Sequence, residues 1–354
     1  MDKETILYTS TEEQIEKLKS QHLIIADEHA AKTSLLLYGY SNLIKSYRDP
    51  YVFLQNDKKI YKPNVTFEQI CSLYLLDKGL RNSVMAAMLD LEEYIKENVA
   101  DVVAHAFGTD PKDYLNFRNY RDKKRSKYRF SLPGILKTLN DTIQSDKDPI
   151  RHYRCKYGIV PPWILFKNVY FTTIINYISL LKPAEQTALA HRIYNYKRLN
   201  LADENIKKLM MDTLFICVDY RNKAAHGGRI YNYTSRSRLR FTEIFGNPAT
   251  AEENGIGLLL FLLNLLRYHS PFRRLRNSLD CELNRHLKDY PQDVDYMGNI
   301  LNLNITLQDT VYICPHKNNK KYHRNRHCSG MINSQKLELQ EAEEQGYSPC
   351  KKCC

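Results

Sequence analysis

Ile70, Leu73, Leu80, Val84, Met88, Leu91, Ile95, Val99 and Val102 recur at helical steps of three, four and seven residues. Such spacing keeps one apolar face in register over about nine turns. No strand can hold it, because a period of two would scatter these residues over both faces of a sheet. Thr66 and Gln69 stand in capping-box positions at the start of the stripe, and Gly108 is placed to cap its end. One bent helix and two consecutive helices both fit. Further helix punctuation surrounds it. Ser10 and Glu13 form a capping pattern, PPWILFKNVYFTTIINYISLLKP begins on prolines and stops before another, and NIKKLMMDTLFICVDYRNKAAHGG ends at Gly227 and Gly228. The run from Gly257 and the segment PFRRLRNSLDCELNRHLKDY supply two more helices. Strand signals are sparse until about residue 290, and after YPQDVDYMGNI the texture changes to short β-like runs. The expectation is an all-α fold, a helical bundle over residues 1–295, followed by a small α/β module over 308–354.

A chain of 354 residues with 43% hydrophobic and 26% charged residues is globular rather than disordered. No basic-then-apolar signal opens it, and IGLLLFLLNLL (Ile256 to Leu266) is too short to span a bilayer. A cytoplasmic protein without a membrane partner is therefore expected. The net charge of +12 suits a polyanionic partner, because Lys and Arg gain by releasing counterions from phosphates. A basic but inert surface is the bland alternative.

RNKAAHGGRIYNY (Arg221 to Tyr233) sits where a helix should end. With 22 Arg and 11 His, an Arg followed by a His at any of three such spacings arises by chance about twice in the chain. The chemistry is nevertheless suggestive. Asn222 and His226 are four apart and share a helix face, and the arginine can swing its guanidinium toward them. The negative helix end favours a protonated imidazole. An acid–base group beside a fixed cation is what internal transesterification of a phosphodiester needs, with no metal required. The competing reading is that Arg221 and His226 merely cap the helix, with Asp219 as their ion-pair partner.

FRNYRDKKRSKYRF (Phe117 to Phe130) carries seven basic residues and one acid among four aromatics. Arg118, Arg121, Lys123, Lys124, Arg125, Lys127 and Arg129, with Arg229, are candidate nucleic-acid contacts: cations hold phosphates while rings stack on bases. A solvated loop anchored by its aromatics fits equally. YTSRSRLR (Tyr233 to Arg240) would extend a basic rim.

Five of nine cysteines fall in the last 41 residues. Cys350 and Cys353 form the CxxC chelate favoured by tetrahedral Zn²⁺, and a second pair upstream completes four ligands. The expected set is His323, Cys328, Cys350 and Cys353, with His327 able to replace His323 and with Cys314 or His316 as further candidates. A closed four-ligand zinc site is structural rather than catalytic. From Val311 onward the tail holds eight Lys/Arg and four acids, which suits nucleic-acid contact.

RNKAAHGGRIYN resembles the signature of the Abi-like (abortive infection, AbiD/AbiF) proteins. EQIEKLKSQHLIIADEHAA, TFEQICSLYLLDKGLRNSVMAAMLDLEEYI (with Asp77, Arg81 and Glu93) and PPWILFKNVYFTTIINYI resemble other blocks of that family in the same order. Gly227 departs from it, standing where many relatives have a second histidine. The resemblance implies the HEPN superfamily of helical bundles and an endoribonuclease leaving 2′,3′-cyclic phosphate ends. It also implies a homodimer in which His226 of each chain faces a shared cleft. Arg221 would stabilise the phosphate, His226 would move the proton and Asn222 would orient it. Non-catalytic RNA binders occur in the same superfamily, so a partner of a small noncoding RNA in a toxin–antitoxin-like pair is the alternative. The tail resembles the Ada-type zinc module, with one extra residue between His323 and Cys328.

Overall fold

The computed structural model of the chain describes residues 8–122, 131–240, 244, 254–305, 310–315, 320–324, 326, 328, 331 and 333–354. In chain order the elements are α1 (Thr11–Ser20), α2 (Glu28–Tyr38), β1 (Val52–Gln55), β2 (Lys58–Tyr61), α3 (Phe67–Phe107), α4 (Pro111–Tyr114) and α5 (Leu132–Ile143). There follow α6 (Ile150–Tyr157), α7 (Pro162–Leu165), α8 (Phe171–Leu180), α9 (Pro183–Ile193), α10 (Tyr196–Leu199), α11 (Asp203–Ala225) and α12 (Gly255–Leu265). The chain closes with α13 (Ser270–Asp289), α14 (Val294–Leu301), β3 (Thr310–Ile313), β4 (Lys321–His323), β5 (Gln335–Glu338), α15 (Leu339–Glu344) and β6 (Ser348–Pro349). Helices dominate up to residue 301, and a small α/β tail follows, as expected. Among the described residues no helix is long and apolar enough to cross a membrane.

Of the two arrangements open for the long stripe, the single helix is the one formed. α3 runs unbroken for 41 residues, and every stripe residue from Ile70 to Val102 is buried. Burying each such side chain contributes about 1.5–3 kcal/mol. Gly108, at φ +84°, ends the helix, and its N–H bonds the Ala104 carbonyl.

Contacts divide the chain into two compact units. The first comprises Met1–Leu80, Asn277–Ile300 and Asn304–Cys354, and the second Arg81–Arg276 with Leu301–Leu303. The change of texture near 295–310 is where helices give way to strands, and the strand-bearing tail groups with the first 80 residues and Asn277–Ile300.

In the first unit, α1 opens on the expected capping box, with Ser10 and Glu13 each bonding the other's backbone N–H. An antiparallel hairpin of β1 and β2 was not legible in the sequence. Its turn places Asn56 and Asp57 at φ +50° and +60°, the left-handed pair that a two-residue hairpin loop requires. At α3 only half the expected capping box forms. Thr66 Oγ1 accepts the Gln69 N–H at 3.1 Å, but the Gln69 side chain turns inward to the Asp293 carboxylate at 3.0 and 3.1 Å. Tyr51 Oη (2.6 Å) and His286 Nε2 (2.9 Å) reach the same carboxylate, and His286 Nδ1 bonds Ser72 Oγ at 2.9 Å. Burial alone would raise the Asp293 pKa, but the hydrogen bonds from His286, Tyr51 and Gln69 hold it below the ordinary aspartate value. The tail forms a four-stranded sheet of order β5-β3-β4-β6, antiparallel except for β4 with β6. α15 covers it through a small core of Val311, Ile313, Tyr322 and Ala342.

In the second unit, α11 packs against α8, α9 and α12. Its residues Ile206, Leu209, Met210, Leu214, Ile216, Cys217 and Tyr220 are buried along the way. Gly257 lets the chain after α14 approach α12, since a Cβ there would lie 2.1 Å from the Asn302 carbonyl oxygen. PPWILFKNVYFTTIINYISLLKP does not make one helix. α7 passes into a 3-10 turn at Phe166–Asn168 before α8 begins. Buried Lys96 Nζ takes the Val169 carbonyl at 2.7 Å, which removes it from any helical ladder.

Candidate functional site

α11 ends in a Schellman turn. Gly228 N–H bonds the Lys223 carbonyl at 2.9 Å, Gly227 N–H bonds the Ala224 carbonyl at 3.1 Å, and Gly227 takes φ +68°. This turn leaves His226 exposed at the helix tip, while Arg221 and Asn222 are half-buried one turn back. Asn222 lies four residues before His226 as its spacing demands, yet its side-chain oxygen accepts a long 3.4 Å contact from Arg221 Nη1. Its own backbone carbonyl takes the His226 N–H at 3.1 Å. The Arg221 Nε–H is buried with no acceptor among the described residues. A second guanidinium arrives from α3, where Arg81 Nη1 donates to the Gly227 carbonyl at 2.6 Å. Among the described residues neither guanidinium contacts a carboxylate. One exposed imidazole therefore shares a helix tip with two cations that no acid among the described residues pairs with.

Asp219 does not pair with Arg221 or His226. It accepts the Ser235 hydroxyl and the Ser237 N–H, each at 2.8 Å. About two turns further back, Asp212 takes the Arg240 N–H at 2.8 Å and its guanidinium at 2.7 and 2.6 Å. Near the tip, Tyr220 Oη donates to the Tyr233 carbonyl at 3.0 Å, and Lys223 Nζ sits 5.3 Å over the Tyr233 ring. Residues 229–240 thus run back along α11 as a fixed strap. Ile230, Tyr231, Ser235 and Leu239 are buried, whereas Arg236, Arg238 and Arg240 face solvent. Arg229 is half-buried at the start of the strap.

The other expected basic positions divide. Arg118 is exposed, on the short turn Phe117–Asn119. Arg121 serves the fold: its Nε donates to the Leu181 carbonyl and its Nη2 to Gln186 Oε1, both at 2.9 Å. Tyr120, beside it, is buried against Tyr177, with the two hydroxyls 2.7 Å apart. Lys123, Lys124, Arg125, Lys127 and Arg129 lie outside the described residues. The position that composition and spacing missed is Arg81. It stands 146 residues from the carbonyl it holds, and only its place in a block resembling other proteins pointed to it.

In the tail, His323, Cys328, Cys350 and Cys353 bring their ligand atoms within 4.8 Å of one another. β4 supplies the histidine, and the turn after β6 supplies Cys350 and Cys353. Tetrahedral coordination with metal–sulfur bonds of about 2.3 Å places two thiolates about 3.8 Å apart, and a thiolate and an imidazole nitrogen about 3.5 Å apart. Cys328 and Cys350 sulfurs are separated by 3.8 Å, and Cys353 Sγ lies 3.5 Å from His323 Nδ1. The set fits a tetrahedral metal ion and is too wide for a disulfide. His327 and His316 lie outside the described residues, and the Cys314 thiol bonds the Asn333 carbonyl at 3.4 Å.

A family model described as "Abi-like protein" matches residues 33–232, from within α2 to just beyond the α11 tip. No curated protein and no solved structure matches the chain.

Proposed function

The chain belongs to the Abi-like protein family, and on that premise we propose that it is a metal-independent endoribonuclease of abortive-infection defence. The observation that carries this reading is the α11 tip, where exposed His226 stands with Arg221 and Arg81, neither of which meets a carboxylate among the described residues. In the proposed reaction His226 removes the proton from a ribose 2′-hydroxyl. The 2′-oxygen bonds to phosphorus, the bond to the 5′-oxygen breaks, and that oxygen leaves with a proton from a second acid. Arg221 stabilises the negative charge that builds on the phosphorane. The products are a 2′,3′-cyclic phosphate and a free 5′-hydroxyl. In a homodimer the partner's copy of the tip would provide the second imidazole, so that one acts as base and the other as acid. Asn222 contacts Arg221 in the free chain, so its role in the scheme is to hold the guanidinium rather than the imidazole.

His323, Cys328, Cys350 and Cys353 would hold zinc. With four protein ligands such a site is structural: it ties the strand-borne histidine to the last turn and leaves the scissile phosphate to the α11 tip.

The test is purified full-length protein with mixed RNA, with and without EDTA, followed by end-group analysis. Cleavage to cyclic-phosphate ends in both conditions, abolished in His226→Ala and in Arg221→Ala, is the expected result. Tight RNA binding without cleavage under any condition would replace the enzyme with a non-catalytic RNA-binding protein, governed by or governing a small RNA. Cleavage that survives His226→Ala would place the chemistry elsewhere.

A further inference from the structure

The strap along α11 is built in an unusual way. Two carboxylates of the helix, Asp219 and Asp212, are spent on fixing it: they hold Ser235 and Ser237 at one point and Arg240 at the other. Between those anchors buried Ser235 and Leu239 face the helix, and Arg236 and Arg238 face water. The chain bends at Arg236 and Ser237, where Ser237 N–H also bonds Ser235 Oγ at 3.1 Å, so the exposed Arg236 and Arg238 flank the point at which the backbone is pinned. Among the described residues neither Arg236 nor Arg238 meets a carboxylate, unlike Arg240. A loop needing only to be soluble would not require its backbone to be pinned at both ends.

We propose that Arg236 and Arg238 form a preordered phosphate track that holds the strand flanking the reactive linkage, leading away from His226 along α11. The proposal rests on the ribonuclease reading for its polarity, but its binding chemistry stands alone. The strap starts three residues after His226 and is held on Asp219, about two helical turns (~10 Å) back from the tip, within reach of a strand bound there. No large apolar side chain on the strap is exposed, since Ile230, Tyr231 and Leu239 are buried. With two such outward arginines and no apolar face, the strap lacks both the polybasic cluster and the apolar insertion that hold a protein on a membrane surface. A single-stranded nucleic acid is the partner that two exposed guanidiniums without a carboxylate among the described residues, held on a pinned backbone beside the α11 tip, suit.

The experiment measures binding of a labelled single-stranded oligouridylate to the His226→Ala protein, so that no cleavage intervenes, across a series of salt concentrations. Each phosphate contact on a single strand contributes about 0.7 to the slope of log affinity against log salt. Replacing both arginines (R236A/R238A) is expected to lower that slope by about 1.4, equivalent to about a 25-fold weaker complex at 0.1 M salt. R236K/R238K, which keeps both charges, is expected to bind within a few-fold of the parent. Asp219→Ala leaves both arginines in place and makes the protein one charge more positive, yet it unpins the strap, so its affinity is expected to fall. Equal affinity and slope in R236A/R238A, with unaltered circular dichroism, overturns the track. Asp219→Ala binding as tightly as the parent overturns its preordering. If the wild-type chain proves unable to cleave RNA while R236A/R238A still loses slope, the enzymatic reading fails and the track stands. If the wild type cleaves and the double variant binds normally, the reverse holds.

Discussion

Replacing Asp293 with alanine removes the acceptor shared by three donors in the first unit. Tyr51, Gln69 and His286 reach that carboxylate at 2.6 to 3.1 Å, and all three are nearly inaccessible to water. Leaving a buried donor unsatisfied costs about 1–3 kcal/mol. Three such losses sum to about 3–9 kcal/mol. Water admitted to the vacated space and relief from burying the carboxylate reduce this, so about 3–5 kcal/mol is expected. Domains are commonly stable by only about 5–15 kcal/mol. Tyr51→Phe, which removes a single donor and leaves the carboxylate two partners, should cost about 1–2 kcal/mol. Urea unfolding followed by circular dichroism reads both values. The pH dependence adds a second signature. The Asp293 carboxyl is held below its ordinary value in the folded chain, so its contribution is complete above the unfolded aspartate pKa of about 3.9 and is lost as pH falls through the lower folded value. The deficit of Asp293→Ala relative to wild type should therefore shrink below about pH 4. A deficit under about 1 kcal/mol at pH 7, or one that does not change on acidification, would refute the argument that this carboxylate organises the polar core.

Two further outcomes follow from the geometry. Metal analysis should find about one zinc per chain, lost in Cys353→Ser and in His323→Ala, and chelation should lower the melting temperature of the wild type but not of those variants. Arg121→Ala should destabilise the fold by about 2 kcal/mol, because the Leu181 carbonyl and Gln186 side chain lose their donor, while leaving RNA affinity unchanged at constant salt.

What the sequence revealed was what local rules govern. The α3 stripe, the Ser10 capping box, the glycine stop after His226 and the CxxC chelate each depend on residues a few positions apart. The features it hid depend on partners far away in the chain. Gln69 abandons its capping role because Asp293, 224 residues on, offers a buried carboxylate. Lys96 splits an otherwise helical stretch by taking a carbonyl 73 residues away. The β1–β2 hairpin escaped notice because its left-handed pair is Asn-Asp, a weaker turn signal than Asn-Gly. The motif at Arg221–His226 was legible as a helix end, but nothing near it in sequence announced Arg81. Arg121 looked like part of a basic patch, although its guanidinium serves the interior.

The Schellman turn at the α11 tip carries one electrostatic consequence. Peptide dipoles leave the end of a helix with carbonyl oxygens outward, an end that repels anions. At this tip the Lys223 and Ala224 oxygens are occupied by the two glycine N–H groups, and the Gly227 oxygen by Arg81. Those oxygens are thereby capped and guanidiniums stand beside them, so the repulsion that a bare helix end would exert on an anion is weakened. Arg81, a residue of another helix, thus brings a positive charge to the tip at which His226 is exposed.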